Sequence, residues 1–374
     1  LDKDHSRAAQ PTAPVELTDA TTKDFWAMYT AGVARYDQGH FRDAVTTLRH
    51  AVDLNPQDAV AWFALGNAQV ALGQREEAEA SYTASHVLRP ESWVALYHRS
   101  LVRFERQDDE GAERDCDAAL ALAPDEPALL LNRALARQRQ RRFAESERDL
   151  DRVLASPRMI ARAYFVRAAV RAQQGNNSGA ANDRSAGFAT LPTDFQSWLA
   201  RGMAWLPADP QRAVADLARA REINPRSVAA LRNLAYVNSE FLDDLPTAIS
   251  QLDDALALRP EDADLLASRG VLHARNRQFD NARRDAREAL RLDATAQTLL
   301  HSACVFALTG SEQPADLDRA ASLVQRSLQQ EPSWLPVVLK DADLRPLQDH
   351  ADFRKAIQAA RALSQANPGI NTLE

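Results

Sequence analysis

Apolar and small residues recur along this chain at helical spacing, and the helical stretches come in pairs. In the second stretch of a pair, an Ala is followed by an apolar or small residue, then by another small residue, then by a Pro. Ala44, Leu48, Ala51 and Pro56 are an example. Because Pro cannot continue a helix and the apolar positions share one helical face, each stretch predicts an amphipathic helix that ends before its Pro.

The first stretch of a pair carries an aromatic residue or Leu and then a small residue four positions later, as in Trp62 and Gly66. Pro56, Pro90 and Pro124 then mark a period of 34 residues. A repeat of this length holds one helical hairpin. A hairpin alone cannot bury its apolar face, so neighbouring hairpins are expected to stack into a solenoid.

One repeat resembles the tetratricopeptide repeat family, whose pattern is W-x2-L-G-x2-Y, then A-x3-F, then P. The matching residues are Trp62, Leu65 and Gly66, then Ala78 and Tyr82, then Pro90. Nine repeats are placed at 25–58, 59–92, 93–126, 127–160, 161–193, 194–226, 227–261, 262–294 and 295–332. The resemblance implies an all-α fold, a right-handed α-solenoid of about nine helical hairpins with a C-terminal closing helix. It also implies a concave side that binds a protein or peptide.

The limits of the repeat predict three regions. Residues 1–20 are expected to form a flexible N-terminal linker, and residues 21–332 the repeat superhelix. Residues 333–374 are expected to hold an irregular segment at Leu335–Leu347 and a capping helix at Asp352–Ala366. Since the first residue is Leu1 rather than Met, we expect a fragment or a processed form.

Composition excludes several classes of ligand and location. The net charge is -7 and the pI is near 5.7, whereas nucleic acid binding needs a basic surface, so no nucleic acid partner is expected. No apolar run reaches the ~18–20 residues of a membrane helix, so no membrane insertion is expected in this segment. A cytoplasmic location is favoured, with tethering through a larger protein left open. Cys116 and Cys304 have no metal-ligand spacing.

A row of arginines on the first helices of five repeats has a matching row of aspartates. The arginines are Arg99, Arg133, Arg167, Arg201 and Arg269, and the aspartates of the same repeats are Asp115, Asp149, Asp183, Asp216 and Asp285. Repeats one, two and seven lack both, with Ala31, Leu65 and Leu234 opposite Thr47, Ser81 and Gln251. Because an unpaired buried charge is costly, this covariation predicts structural ion pairs within hairpins rather than an anion-binding ladder.

Motifs for catalysis are missing from the sequence. There is no Gly-rich phosphate loop, no nucleophile elbow and no zinc-protease motif, and the eight histidines include no pair four residues apart. We therefore predict that this segment is not an enzyme and has no catalytic residue, no cofactor and no metal site. Cys116 falls at a core position of its repeat, where a small buried hydrophobe is expected.

The expected concave positions of the first helices are rich in aromatic residues in repeats one to three. The candidate partner-binding groove consists of Trp26, Tyr29, Tyr36, Phe63, Asn67, Tyr97, Leu101 and Phe104. Aromatic side chains provide contact area at low entropic cost, which suits a peptide groove. Two alternatives stay open. The rings pack between neighbouring repeats, or they are covered by residues 1–20 or by a second copy, so self-association is also an expectation.

Some members of the family clamp a C-terminal carboxylate with Lys and Asn on one first helix, Asn on the next, and Lys and Arg on the third. The corresponding residues are Phe63 and Asn67, then His98, then Ala128 and Asn132. Both lysines are absent, so this clamp is not expected.

The end of the chain carries a second resemblance. The segments Ser302–Leu308, Asp318–Ala320, Lys340–Leu347 and Asp352–Phe353 resemble the ends of repeat regions in planctomycete-type bacterial serine/threonine protein kinases. This implies a non-catalytic interaction or regulatory module of a larger bacterial signalling protein. The alternatives are a free-standing assembly scaffold or co-chaperone, and the targeting segment of an enzyme such as a glycosyltransferase.

Overall fold

The computed structural model describes residues 18–158 and 160–366. The chain divides into two compact units, Leu1–Leu191 (unit 1) and Pro192–Glu374 (unit 2). Within the described ranges no residue lies in a β-strand. None of the helices in these ranges is both long and apolar enough to cross a membrane.

Unit 1 consists of five helical hairpins. They are α1 (Asp19–Asp37) with α2 (Phe41–Leu54), α3 (Ala59–Ala71) with α4 (Arg75–Leu88), α5 (Val94–Glu105) with α6 (Asp109–Leu122), α7 (Pro127–Arg139) with α8 (Phe143–Ala155), and α9 (Ala163–Gln173) with α10 (Asn177–Ala189). Within the unit, the second helix of each of the first four hairpins also packs against the first helix of the next, so the apolar faces are buried between neighbours.

Unit 2 holds four further hairpins and a closing region. The hairpins are α11 (Phe195–Ala204) with α12 (Pro210–Ile223), α13 (Val228–Phe241) with α14 (Leu245–Leu258), α15 (Ala263–Arg275) with α16 (Phe279–Leu292), and α17 (Ala296–Thr309) with α18 (Ala315–Gln330). The closing region contains two 3₁₀ helices, Pro332–Trp334 and Ala342–Leu347, together with α19 (Leu335–Lys340) and α20 (Ala351–Ala366). The predicted all-α fold of paired helices is confirmed.

Local sequence signals set the ends of the helices. The second helices stop two or three residues before the predicted prolines, as α2 does before Pro56 and α10 before Pro192. The first helices α3, α11, α13, α15 and α17 are capped by a polar side chain. The Asp58 carboxylate accepts a hydrogen bond of 2.8 Å from the Ala61 backbone N–H at the start of α3. This cap satisfies a helix donor that otherwise has no partner in the helix.

Close approach of the two helices of a hairpin depends on a small residue. In the second hairpin, a Cβ added to Gly66 would lie 2.7 Å from Cε1 of the Tyr82 ring. Tyr82 is only 1% exposed, so its ring cannot easily move away. The Gly66 position therefore lets the ring fill the space between α3 and α4, as the sequence pattern predicts.

The first helix begins earlier than predicted. Thr18 caps α1, since its hydroxyl oxygen accepts a hydrogen bond of 3.2 Å from the Thr21 backbone N–H. Asp19 and Ala20 belong to this helix rather than to the predicted linker 1–20, and an acidic residue in the first turn favours the helix. The rest of that linker, residues 1–17, lies outside the described residues.

The segment after the repeats is more regular than predicted. Leu335–Leu347 was expected to be irregular, but it forms α19 and the following 3₁₀ helix. Pro336 lies in the first turn of α19, where its missing N–H has little cost. Val338 and Leu347 are buried in the same apolar cluster as residues of α17 and α18. This long-range burial, rather than local sequence, stabilises the segment, and α20 then forms at the predicted capping helix.

Candidate partner-binding surface

The eight predicted groove residues lie on the first helices of the first three hairpins, α1, α3 and α5. Trp26 is 52% exposed and Leu101 is 36% exposed. The other six side chains are partly buried. The set is therefore a partly covered aromatic surface rather than a fully exposed patch.

In the first hairpin the rings contact one another. The rings of Trp26 and Tyr29 are nearly perpendicular, with centroids 5.8 Å apart. The Tyr36 ring lies 5.6 Å from the ring of Phe41 at the start of α2. Burial raises the pKa of Tyr29 and of Tyr36, so both hydroxyl groups stay protonated and can donate a hydrogen bond. These contacts hold the rings in place while Trp26 keeps about half of its surface exposed.

In the next hairpins two predicted groove residues contact the neighbouring hairpin. The Phe63 ring lies 5.6 Å from Tyr82 of its own hairpin and 4.8 Å from His98 of the next. The Phe104 ring has the Arg139 guanidinium 4.3 Å from its centroid. Part of the surface of Phe63 and Phe104 is thus buried between neighbouring hairpins. Packing between repeats was the first alternative for these positions.

A small cavity of about 230 Å³ lies beside Phe63, where α3, α4 and α5 meet. Its lining includes Val60 and Val94, which are 39% and 37% exposed, and the side chain of Arg89. The volume is below the usual range for a small-molecule site and suits a single apolar side chain.

The two asparagines of this region differ in their hydrogen bonds. Asn67 Oδ1 accepts a hydrogen bond of 2.8 Å from the Tyr82 hydroxyl, so Asn67 is held in place. Asn132 of α7 is only 8% exposed, and its Nδ2 has no well-aligned acceptor among the described residues, although it interacts with the oxygen of Tyr97. Burial raises the pKa of the neighbouring Tyr97, and the Arg162 charge and the Asn132 amide partly oppose that rise. Asn132 was weighed only for the carboxylate clamp in the sequence.

Each of the five predicted arginines contacts the aspartate of its own hairpin. The shortest N–O distances are 2.6 Å for Arg99–Asp115, Arg133–Asp149 and Arg167–Asp183, 2.8 Å for Arg201–Asp216 and 2.7 Å for Arg269–Asp285. Arg133 donates from Nε and Nη2 to both oxygens of Asp149, a bidentate geometry. The five aspartate side chains are at most 9% exposed. The structure therefore places these arginines against carboxylates inside the hairpins.

A second donor also reaches four of the five aspartates. It lies four residues after the arginine, on the same helical face. Arg103, Arg137, Arg171 and Trp205 donate to Asp115, Asp149, Asp183 and Asp216 at 2.8, 2.7, 2.9 and 2.9 Å, and His273 Nε2 lies 3.8 Å from Asp285. This second row of donors is not among the predictions from the sequence, although their spacing of four residues from the arginines was a usable signal.

The ion pairs also join neighbouring hairpins in unit 1. Arg137 Nε donates to Glu113 Oε1 at 2.8 Å, and Arg133 Nη1 donates to Asp117 Oδ1 at 2.7 Å; both acids lie on α6 of the preceding hairpin. Arg171 and Arg167 contact Glu147 and Asp151 of α8 in the same way, both at 2.7 Å. Although burial alone would raise it, hydrogen bonds from Arg137 and Gln140 hold the pKa of Glu113 below its usual range.

Three hairpins without the arginine satisfy the same place with a hydrogen bond that is not an ion pair. Gln69 Oε1 accepts a hydrogen bond of 2.7 Å from the Ser81 hydroxyl, and Asn238 Nδ2 donates to Gln251 Oε1 at 3.1 Å. In the first hairpin Arg35 donates to the Thr47 hydroxyl. The polar position between the two helices is therefore satisfied in both kinds of hairpin, with or without a formal ion pair.

A larger cavity in unit 2 was not foreseen from the sequence. It has a volume of about 400 Å³ and lies among α13, α15, α17 and the segment after α19. Its lining includes Arg232, Tyr236, Glu240, His301 and Asp343. No single stretch of sequence contains the cavity, because three hairpins and the closing region each contribute to it.

The comparisons with known proteins agree with this architecture. The family model described as tetratricopeptide repeat matches residues 29–85, 63–127, 131–186 and 242–296, together more than half of the chain. The chain therefore belongs to the tetratricopeptide repeat family. This fold is in general a non-catalytic scaffold that binds proteins or peptides. No curated protein sequence matches the chain.

Several solved structures are similar at low identity. A tetratricopeptide repeat protein from Parabacteroides merdae is 19% identical, with 63% of this chain and 93% of that chain covered and a TM-score of 0.43. MamA from Desulfovibrio magneticus is 14% identical, with 46% and 96% covered and a TM-score of 0.43. PilF of Pseudomonas aeruginosa is 16% identical, with 57% and 97% covered and a TM-score of 0.41. The family assignment rests on the family model and not on these structures.

Proposed function

We propose that the chain binds a protein or peptide partner through the aromatic surface of unit 1, formed by the eight groove residues and Asn132. The family membership supports protein binding in general. The observation that carries the choice of this surface is the buried Asn132 amide, whose Nδ2 interacts with the Tyr97 oxygen but has no well-aligned acceptor among the described residues. A buried donor with no well-aligned acceptor costs up to about 1–3 kcal/mol, and a carbonyl or carboxylate of a partner would recover part of this where binding opens the site to it.

Neighbouring side chains support the same surface. Tyr97 lies close enough for the Asn132 amide to affect its pKa, and Tyr97 is itself one of the groove residues. Trp26 is half exposed, and the cavity beside Phe63 has room for one apolar side chain. A peptide that supplies an apolar side chain and a hydrogen-bond acceptor would match these features. The five buried Arg–Asp pairs take no part in the proposed binding, since their charges are already paired within the hairpins.

The test separates binding from folding. A peptide selected from a display library on the full-length wild-type chain would be labelled and measured by fluorescence anisotropy. We expect Asn132→Leu to weaken its binding by about tenfold, because the acceptor of the peptide loses its donor. The midpoint of thermal unfolding should change little, because the substitution removes a buried amide whose Nδ2 has no well-aligned acceptor.

Asn182→Leu is the matched control, since Asn182 is an exposed residue of α10 in the same unit. It should leave the affinity unchanged. Tyr36→Ala combined with Phe104→Ala should cost ~1–2 kcal/mol of binding free energy. Full affinity in both Asn132→Leu and the double variant would contradict the proposed surface.

We also propose the biological setting implied by the resemblance at the end of the chain. In this setting the segment is an interaction or regulatory module of a larger bacterial signalling protein, in the cytoplasm, attached to a kinase domain. The free-standing scaffold or co-chaperone and the targeting segment of an enzyme are the alternatives. Sequencing the complete reading frame tests this directly. A kinase domain upstream supports the module, and a catalytic domain of another class downstream supports the targeting segment.

A further inference from the structure

The cavity of unit 2 has two chemically different ends. Glu240 on α13 and Asp341 and Asp343 in the segment after α19 bring three carboxylates to the lining. Arg275 of α15 lies between them, with Nη2 2.9 Å from Asp343 Oδ2 and Nη1 hydrogen-bonded to Glu240. One guanidinium thus faces three carboxylates. The other lining arginine, Arg232, precedes Glu240 by eight residues on α13, roughly 12 Å along the helix axis.

The remaining titratable groups of the cavity add no positive charge at the acidic end. Burial lowers the pKa of His301, which keeps its imidazole neutral near pH 7. Burial raises the pKa of the Cys304 thiol well above its usual range. The protonated thiol donates to Asp341 Oδ2 at 3.4 Å. Burial raises the pKa of Asp343, and the hydrogen bond and charge of Arg275 partly oppose that rise. The acidic end therefore brings three carboxyl groups to one guanidinium, in a place where partial burial makes charge compensation valuable.

A metal ion is the first alternative for compensating this charge. Donor atoms of Cys304, Asp341 and Asp343 lie within 4.8 Å of one another. However, Arg275 Nε already donates to both oxygens of Asp343, at 3.2 and 3.0 Å. A metal ion would have to displace this guanidinium and remove the thiol proton. An ammonium or guanidinium group needs neither change, because it binds carboxylates through hydrogen bonds beside Arg275.

The rim of the cavity also suits a cationic side chain. Tyr236 lines the cavity and is 47% exposed, and its ring is held in place by the Phe241 ring at 5.6 Å. An exposed aromatic face attracts a cation that passes over it. The volume of about 400 Å³ is at the small end of ligand sites, large enough for one long side chain and part of its backbone.

We infer that this cavity receives a Lys or Arg side chain of a protein partner, with its charged group at the end formed by Glu240, Asp341 and Asp343. The inference rests on the proposed function, since it takes the ligand to be a protein, and it adds a second contact in unit 2. It assigns a basic residue to the partner, whereas the surface of unit 1 calls for an apolar side chain and a hydrogen-bond acceptor.

The experiment uses the full chain and three short peptides that differ at one position. The probes are acetyl-Gly-Ala-X-Ala-Gly-amide with Arg, Gln or Glu at X, added to isotopically labelled protein and followed by NMR. We expect saturable shifts of the Tyr236 and His301 ring signals with the Arg peptide. The Arg peptide should bind at least about fivefold more tightly than the Gln peptide. The Glu peptide should bind most weakly.

Variants sharpen the test. Glu240→Gln should weaken binding of the Arg peptide by about three- to tenfold, because it removes one partly exposed carboxylate without removing a hydrogen-bond acceptor. Glu222→Gln is the matched control, since Glu222 is an exposed glutamate of α12 outside the cavity lining, and it should have no effect. Arg232→Gln should leave the affinity unchanged or increase it.

Three results would overturn the inference. One is equal binding of the Arg and Gln peptides. Another is tightest binding of the Glu peptide together with its loss in Arg232→Gln, which would identify an anion site. The third is a zinc titration that shifts the Cys304 signals with one ion per chain while the Arg peptide has no effect. These readouts come from unit 2, so they are independent of the Asn132→Leu test in unit 1.

Discussion

The hairpins α3–α4 and α7–α8 belong to the same unit and the same repeat family, yet they satisfy the position between their helices differently. In α3–α4 the contact is a neutral hydrogen bond from Ser81 to Gln69. In α7–α8 Asp149 accepts from both Arg133 and Arg137. Ser81 and Asp149 are buried to a similar degree, at 2% and 3% exposed. The fold therefore requires a satisfied polar group at this position and does not require a charge.

The difference lies in what each contact connects. The neutral pair joins the two helices of one hairpin. The charged layer of α7–α8 extends further, because Arg137 also contacts Glu113 and Arg133 also contacts Asp117, both on α6. Charge thus adds a link between neighbouring hairpins. The members of this ion network also depend on one another, because removing one side chain leaves a buried charge without its partner, which is strongly unfavourable.

The largest effect is expected for Asp149→Leu. This change leaves the partly buried guanidinium groups of Arg133 and Arg137 without their shared carboxylate. We expect a loss of about 3–5 kcal/mol in the opening free energy of α7 and α8. Native-state hydrogen exchange measures this locally, which is necessary because repeat arrays do not always unfold as one unit. Asp125→Leu, at a 93% exposed carboxylate, is the control and should change little.

A smaller effect is expected for Arg133→Leu. Asp149 keeps its hydrogen bond from Arg137 at 2.7 Å, so the carboxylate is not left alone. We expect a loss of about 1–3 kcal/mol by the same exchange measurement. The double variant Arg133→Leu with Arg137→Leu should cost more than the sum of the two single changes, since only then is Asp149 without either arginine. Strict additivity would show that the two arginines act independently.

An even smaller loss of stability is expected for a substitution in the neutral hairpin α3–α4. Ser81→Ala removes the donor to the buried Gln69 amide oxygen, and we expect a loss of about 1 kcal/mol for α3 and α4. Ser185→Ala, on an exposed position of α10, should have no measurable effect. A loss as large as that of Asp149→Leu would show that charge is not what distinguishes the two hairpins.

The smallest difference between the two hairpins is expected in how salt changes their opening free energies. Asp117 and Asp151 are about half exposed, at 51% and 53%, so salt screens their contacts with Arg133 and Arg167. Raising the salt concentration should lower the opening free energy of α7 by about 0.5 kcal/mol. The change should be smaller for α3, which has no charged side chain, since the exposed ion pairs of that hairpin lie on α4. Equal changes in both hairpins would indicate a general effect of salt on folding rather than screening of these pairs.

Much of the repeat architecture is readable from the sequence. The period of the small residues and prolines predicts the hairpins, and the Cβ position of Gly66 explains why the pattern needs a small residue there. The family model does not extend over residues 194–226 or 297–332, but helical spacing predicts hairpins there and the structure contains α11–α12 and α17–α18. These features are local, since they depend on the spacing of residues along one or two helices.

For the candidate binding residues, too, some features were readable from the sequence and others only from the structure. The eight groove residues were chosen by their positions on three first helices, and the structure adds which of them contact a neighbouring hairpin, as Phe63 and Phe104 do. The poorly aligned amide of Asn132 could not be predicted, because an asparagine in a sequence gives no information about its hydrogen-bond partners. The groove itself remains a proposal, since an aromatic ring is equally suited to a partner and to packing between repeats.

The sequence by itself determined the repeat period, the helix pairs and their ends, and the co-occurrence of Arg and Asp within a hairpin. Only the tertiary structure decided which acids of the preceding hairpin complete the ion network, that residues 335–347 are helical, and that a cavity joins Glu240 to Asp343. The physical reason is range. Helical periodicity shows which residues share a face of one helix. Contacts between hairpins depend on how whole helices pack and on the burial of many side chains that are distant in sequence.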